Sequence, residues 1–288
     1  MPCLLIIKTM KDKICIITGA TSGMGLATAV ALAGMGATLG LVCRNREKGE
    51  TVLKSIIEKT KNNKIELFIA DLSSQAEIRK LAIEIKTKFP VINVLVNNAG
   101  GINHKRITTI DGFELTFAVN HLAYFLLTNL LLENLKAAPK ARIISVASIA
   151  SNYGKINFND LNFEKRYDSF KVYAQSKLAN IIFTYELARR LQGTNITANC
   201  LHPGMVKTRF ATDMKNNYFG FFWKLINPIL ITAEKGAETA IWLASSPDAE
   251  GISGKYFKEK KEIKSIRSSY NPDIQKRLWE ISEKFCNL

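Results

Sequence analysis

Cysteine is scarce in this chain and badly placed for pairing. Cys3, Cys15, Cys43, Cys200 and Cys286 are odd in number, far apart and form no CxxC. A disulfide framework is therefore not expected, and small buried thiols in a reducing compartment are. Histidine is scarcer still: His104, His121 and His202 form no ligand pair, so no metal site is expected. No uninterrupted apolar stretch approaches the twenty or so residues of a membrane span. The apolar run at 3–7 is also too short for a signal-peptide core, and the expected location is the cytoplasm. Acidic residues are few, 25 against 40 lysines and arginines, giving a net charge of +15. Such an imbalance raises nucleic acid and anionic surfaces as partners. The basic residues are spread out, however, and acids interrupt the densest patch, KYFKEKKEIKSIR at 255–267. With no zinc finger, helix-turn-helix spacing or aromatic RNA-binding strand, no specific nucleic-acid partner is expected. Repeats, low-complexity tracts and Gly/Ser/Pro-rich linkers are missing too, so one domain over 1–288 is the economical reading.

What the chain does contain is an alternation. Short apolar runs at 13–18, 37–43, 65–71, 92–100, 141–148 and 195–204 are each followed by a longer helical or irregular segment, and GKYF at 254–257 offers a seventh strand. The runs are continuously apolar rather than alternating, as strands buried on both faces must be. Repeated β–α units predict a doubly wound α/β fold, in which ligands sit beyond the carboxyl ends of the strands.

The chemically suggestive residues fall at those ends. TGATSGMG (18–25) follows the first strand. Its Gly19, Gly23 and Gly25 allow close backbone approach, and the helix behind it offers free N–H groups to a pyrophosphate. An ordinary glycine turn would look the same. CRNR (43–46) ends the second strand without the acid that binds the ribose of NAD. Arg44 could pair with a 2′-phosphate instead, favouring NADP, or simply be solvated. YAQSK (173–177) places Tyr173 and Lys177 four apart, on one face of a helix. On its own the pair is an ordinary helix surface. Its sharper reading is acid–base chemistry, with the ammonium lowering the phenol from its usual value of about 10.

TGATSGMG, NNAG (97–100), YAQSK and HPGMVKT (202–208), in that order in one chain, resemble the short-chain dehydrogenase/reductase family. The resemblance implies a single Rossmann-type domain with a seven-stranded parallel sheet, and hydride transfer between NAD(P) and an alcohol or carbonyl. Tyr173 is then the acid/base, and Lys177 lowers its pKa and holds the nicotinamide ribose. Ser148, at the end of SVAS, hydrogen-bonds the substrate oxygen, with Ser145 and Ser151 as nearby rivals. Asn120 in AVNHL belongs to the proton relay. The cofactor set comprises Gly19, Thr21, Ser22, Gly23, Met24 and Gly25 in the first turn, Arg44, then Asp71 and Leu72 after the third strand. Asn98, Ala99 and Gly100 follow the fourth strand, and Pro203, Gly204, Val206 and Thr208 contact the nicotinamide carboxamide. Ser148 and Tyr173 are 25 residues apart, longer than in many members, so the segment between them is an insertion.

That insertion, with CRNREKGE and DGFELTFAVNHLAYFLLTNLLLENLK, resembles the retinol dehydrogenase subgroup. The implied cofactor is NADP(H) and the implied substrate a small apolar alcohol or carbonyl compound. Membrane-resident members of that subgroup carry an N-terminal anchor, which is not expected here. A catalytically silent, cofactor-sensing or partner-binding member of the same fold is the alternative function. Residues 207–232 are expected to form a substrate-binding lid, and the aromatic run NYFGFFWKLINPILI (217–231) could touch a membrane surface. The resemblance also leaves open a homodimer through helices at 113–135 and 173–191.

Overall fold

The structure is a computed structural model that describes residues 10–204 and 230–288. Its first half alternates β1 (Ile14–Thr18), α1 (Gly23–Gly34), β2 (Thr38–Cys43), α2 (Arg46–Thr60), β3 (Ile65–Ile69), α3 (Gln75–Lys88) and β4 (Val94–Asn97). An interrupted helix follows, made of α4 (Leu115–Phe117), a π turn (Ala118–Leu122), α5 (Ala123–Leu130) and α6 (Leu132–Lys136). Then come β5 (Ala141–Val146), a 3₁₀ turn (Ile149–Tyr153), α7 (Ser169–Arg190) and β6 (Ile196–Leu201). The described C-terminal part holds α8 (Ala233–Ser245), β7 (Tyr256–Lys258), β8 (Lys261–Glu262) and α9 (Pro272–Cys286).

The strands form one sheet in the order β3-β2-β1-β4-β5-β6-β7-β8. Pairing is parallel as far as β7, with Ile16 opposite Gly40 on one side and Leu95 on the other. The order reverses direction between β1 and β4, the switch point where such folds bind ligands. The expectation of seven parallel strands needs one correction. The sheet has an eighth strand, the two-residue β8, antiparallel to β7. It had no periodicity to announce it; Glu259 and Lys260 simply turn the chain back with positive φ.

The continuous apolarity of the strands is explained by the layers. Ile16 faces a core built from α3, α5, α7 and α9, including Phe125, Phe183 and Trp279. Its neighbours Cys15 and Ile17 face the opposite core, under α1, α2 and α8. Successive strand residues point to opposite faces, so a strand covered on both sides needs apolar residues at every position. Side chains at the helix starts define their boundaries: Asn45, Asp168, Thr232 and Asn271 accept N-cap hydrogen bonds. No described helix is long and apolar enough to cross a membrane.

Two expectations about helices change. The apolar stretch at 113–135 is not one helix but is broken by the π turn and again at Leu131. And α9, which was not anticipated, closes the α5–α7 face: Trp279 packs edge-on against Phe125 at 4.8 Å and stacks with Phe183 at 5.9 Å.

Candidate active site

The first turn is held against the end of β4 by the side chains of Thr18 and Asn98. Thr18 Oγ1 accepts from the Asn98 and Ala99 amides at 2.9 and 3.0 Å, and Asn98 Nδ2 donates to the Thr18 carbonyl at 2.8 Å. Gly19 has φ +67°, and a Cβ there would lie 2.8 Å from Ala99 Cα; one on Gly25 would lie 2.3 Å from the Gly19 oxygen. No L side chain fits either place. The result is a tight turn whose outer side is bare. Ser22, the N-cap of α1, makes no side-chain cap bond, and the first helical turn carries no acid. A helix end left in this state suits a phosphate.

At the neighbouring strand ends, Arg44 Nη1 lies 3.9 Å from Asp71 Oδ2, and the Arg44 side chain is 77% exposed. Asp71 also accepts from the Ser73 amide, while Leu72 is buried beside it. These residues lie along one edge, across β2 and β3, as expected of an adenosine site.

The second group converges from β4, β5, the π turn and α7. Tyr173 and Ser148 share a side-chain hydrogen bond. Lys177 is buried and donates from Nζ to the Val146 carbonyl at 2.9 Å. Its Nζ stands 5.8 Å from the ring centres of both Tyr173 and Tyr124. Asn120 is fixed at three points: its Oδ1 accepts from the Gly101 amide, and its Nδ2 donates to the Gly101 carbonyl and to Ser176 Oγ, each at 2.9 Å. A Cβ on Gly100 would lie 2.8 Å from Asn120 Oδ1 and 3.4 Å from Lys177 Nζ, so both groups meet where the β4 turn ends. Ser148 is also the N-cap of the 3₁₀ turn, and Tyr256 from β7 donates to its carbonyl. Of its rivals, Ser145 lies within β5, and both Ser145 and Ser151 are fully buried, whereas Ser148 is half-exposed.

The electrostatics differ from expectation. Burial raises the Tyr173 phenol, and the hydrogen bond from Ser148, not the lysine, is what pulls it down. Burial also lowers Lys177 to about 7. The two charged forms are each penalised by desolvation, so the protein alone favours a protonated phenol beside a readily deprotonated lysine.

Of the expected nicotinamide contacts, Pro203 and Gly204 follow β6, where the Gly204 amide donates to His202 Nδ1 at 3.1 Å. Val206 and Thr208 lie outside the described residues, as does nearly all of the expected lid. Thr18, Tyr124, Ser176 and Tyr256 were not anticipated at the site. All four lay inside stretches singled out above, Thr18 in TGATSGMG, Ser176 in YAQSK, Tyr124 in the 111–136 run and Tyr256 in GKYF, but only tertiary packing brings Tyr124 and Tyr256 to the site.

A bare helix end at the switch point of a doubly wound sheet, adjoining Ser, Tyr, Lys and Asn side chains, defines a nucleotide-dependent enzyme of the Rossmann class. A family model described as short chain dehydrogenase matches residues 13–218, and the chain belongs to that family. It is 40% identical to mouse retinol dehydrogenase 14 over 293 residues, covering 95% of this chain and 86% of that protein. Human retinol dehydrogenase 12 is also 40% identical over 273 residues, again with 95% and 86% covered. Among solved structures, an uncharacterised protein of Mycobacterium paratuberculosis superposes with a TM-score of 0.80 at 31% identity, covering 97% of this chain and 95% of that one. L-sorbose reductase of Gluconobacter frateurii, solved with NADPH and L-sorbose, gives 0.72 at 22% identity, with 88% and 96% covered, and shares the fold.

Proposed function

We propose that the chain is an NADP(H)-dependent oxidoreductase that interconverts an apolar alcohol and its aldehyde or ketone. The observation that carries the reading is the convergence of Tyr173, Ser148, Lys177 and Asn120 at the ends of β4 and β5. The residues present fit a dinucleotide. The turn of Gly19, Thr21, Ser22, Gly23, Met24 and Gly25 would take the pyrophosphate, with Asp71, Leu72 and Arg44 around the adenosine. Asn98, Ala99, Gly100, Pro203, Gly204, Val206 and Thr208 would flank the nicotinamide side. When bound, the nicotinamide supplies or accepts the hydride. Tyr173 donates its hydroxyl proton to the carbonyl oxygen, for which a phenol raised by burial is in the right state at neutral pH. Ser148 holds that oxygen by hydrogen bonding, and Lys177 and Asn120 fix the surroundings of the phenol. The NADP preference rests on Arg44, exposed at the end of β2 with no acid ahead of it in CRNR.

The preference for an apolar substrate is supported by the rim. Phe170 lies one turn before Tyr173 on α7, and Tyr153 ends the 3₁₀ turn that starts after Ser148. Their rings are 6.0 Å apart and the residues are 49% and 74% exposed. Gly154 places this strap against Ala174, immediately beside Tyr173. Large apolar groups left in solvent next to reactive ones suit a substrate whose body is apolar. The names of the retinol dehydrogenase relatives agree with this class. Residues 207–232 remain our proposed lid, with membrane contact through 217–231 as its second role. The four described cysteines are free and buried, which fits our placement of the protein in the cytoplasm. A homodimer through the α5 and α7 helices would have to form around α9, which packs on that face.

The test is a screen of aldehydes and ketones with NADPH and NADH, followed at the nicotinamide absorbance. Turnover that rises with apolar chain length and favours NADPH is expected. Tight NADPH binding with no turnover of any carbonyl would instead identify a silent, cofactor-sensing member.

A further inference from the structure

The π turn at Ala118–Leu122 widens the helix by one residue and so aims Asn120 at Gly101 and Ser176. A π turn is an uncommon, poorly bonded conformation that survives where its surroundings impose it. His121, the next residue, is fully buried among Phe117, Phe125 and Phe183, with ring centres 5.1, 6.4 and 6.2 Å away. Its Nε2 lies 3.0 Å from Ser282 Oγ, on α9. Ser282 spends its own proton on the Leu278 carbonyl at 2.8 Å. The hydroxyl is then the acceptor and the imidazole Nε2–H the donor, which leaves Nδ1 to the side chain of Asn180, an assignment made from the network. One turn further along α9, Cys286 Sγ approaches the Leu122 carbonyl of the same π turn at 3.9 Å. The C-terminal helix therefore touches the turn at two successive residues.

A phenylalanine at 121 would fill this aromatic box as well as a histidine. A buried imidazole costs desolvation, and what it adds is a directional bond. Burial also lowers its pKa to about 4, so it is neutral at physiological pH and does not itself exchange protons there.

We propose that His121 and Ser282 are positioning residues: the C-terminal helix sets the π turn through their hydrogen bond and thereby holds Asn120 in the active site. The catalytic part of this inference rests on the proposed oxidoreductase activity; the structural part does not.

Two variants of the full chain test it. His121→Phe keeps an aromatic ring and removes the bond to Ser282 together with the Asn180 contact, and Ser282→Ala removes only the hydroxyl. Each should lower kcat by about ten-fold or more, the scale of a small misplacement of a catalytic group. The Kd for NADPH should stay within about two-fold, because the cofactor turn is not touched. The double variant should be no slower than His121→Phe, since Ser282→Ala removes only a bond that His121→Phe has already lost. Hydrogen exchange of the Gly101 amide, which donates to Asn120 Oδ1, should quicken in both. Unchanged kcat and Gly101 exchange in the variants would overturn the proposal. So would a fall in kcat, NADPH affinity and thermal midpoint together, the mark of a general packing loss. Should His121→Phe not fold, Ser282→Ala decides alone. If the parent turns over no carbonyl, the activity reading fails separately, and Gly101 exchange still decides whether α9 holds the turn.

Discussion

The two halves of the sheet's carboxyl edge are built from different materials. At β1, β2 and β3 the site is mainly backbone: glycines, a bare helix end and a tight turn against Ala99. At β4 and β5 it is polar side chains with fixed partners, Asn120 on Ser176, Lys177 on the Val146 carbonyl, Tyr173 on Ser148. The first region should tolerate almost no added atom. The second should tolerate almost no lost polar group. A ligand with a constant shape can be met by fixed backbone, whereas moving a proton needs titratable groups in a dry, ordered place.

The hardest blow to the second region is the loss of one oxygen. Tyr173→Phe keeps the ring and removes the proton donor. Turnover should fall by about a hundred- to ten-thousand-fold, with NADPH binding largely intact by fluorescence titration. Activity within a few-fold of the parent would remove Tyr173 from the chemistry.

Lys177→Met separates function from stability in the same region. The folded pKa of about 7 lies below the ordinary lysine value of 10.5. Between these values the unfolded chain binds the extra proton, so this residue's contribution to stability rises with pH from about 7 and is complete above 10.5. At pH 7 it therefore costs stability. The variant should be inactive yet melt higher than the parent at pH 7, without the lysine's rise above that pH. Calorimetry across pH 7 to 10 checks this; a variant that melts lower throughout would show that the Val146 hydrogen bond outweighs the burial.

In the first region the damaging change is an addition. Gly25→Ala places a Cβ 2.3 Å from the Gly19 oxygen, a clash with backbone rather than with a side chain that could swing away. Overpacking of this kind costs about 1–3 kcal/mol, and the displaced turn should lose NADPH affinity as well. Gly101→Ala is the control: a Cβ there meets nothing within 4 Å, and its effect on the melting point should be negligible. Equal effects of the two changes would erase the contrast between the regions.

How much of this was readable in the sequence follows the same division. The glycine turn, the strand ends and YAQSK are local, and their positions in the fold agree with a reading by motif and apolar pattern. The sheet's eighth strand, two residues of mostly charged sequence, carried no pattern at all. The break in the 113–135 helix was hidden because a π turn uses the same apolar residues as an α-helix. The partner of His121 is 161 residues away on α9, and Tyr256 reaches Ser148 across 108 residues, so neither contact has a local trace. The cause of the Tyr173 shift was misassigned for a related reason. Spacing on a helix gives proximity to Lys177, but it does not show that burial raises the phenol and lowers the lysine's own pKa.

The smallest expected effect tests the one side chain on which the proposed cofactor preference rests. Arg44 stands 3.9 Å from Asp71 with most of its side chain in solvent. An exposed pair of this kind contributes little to folding, so Arg44→Ala should leave the melting point nearly unchanged. Against a 2′-phosphate the guanidinium makes a charge-assisted contact, which NADH lacks the group to receive. Solvent screening limits the gain, and about a five-fold loss of NADPH affinity is expected, with NADH within experimental error of the parent. Raising the salt concentration should shrink the difference between the two cofactors in the parent and leave the variant unaffected. Equal weakening of both would make Arg44 a structural partner of Asp71. The NADP preference would then have to come from the backbone of the turn, which the Gly25→Ala measurement reads independently.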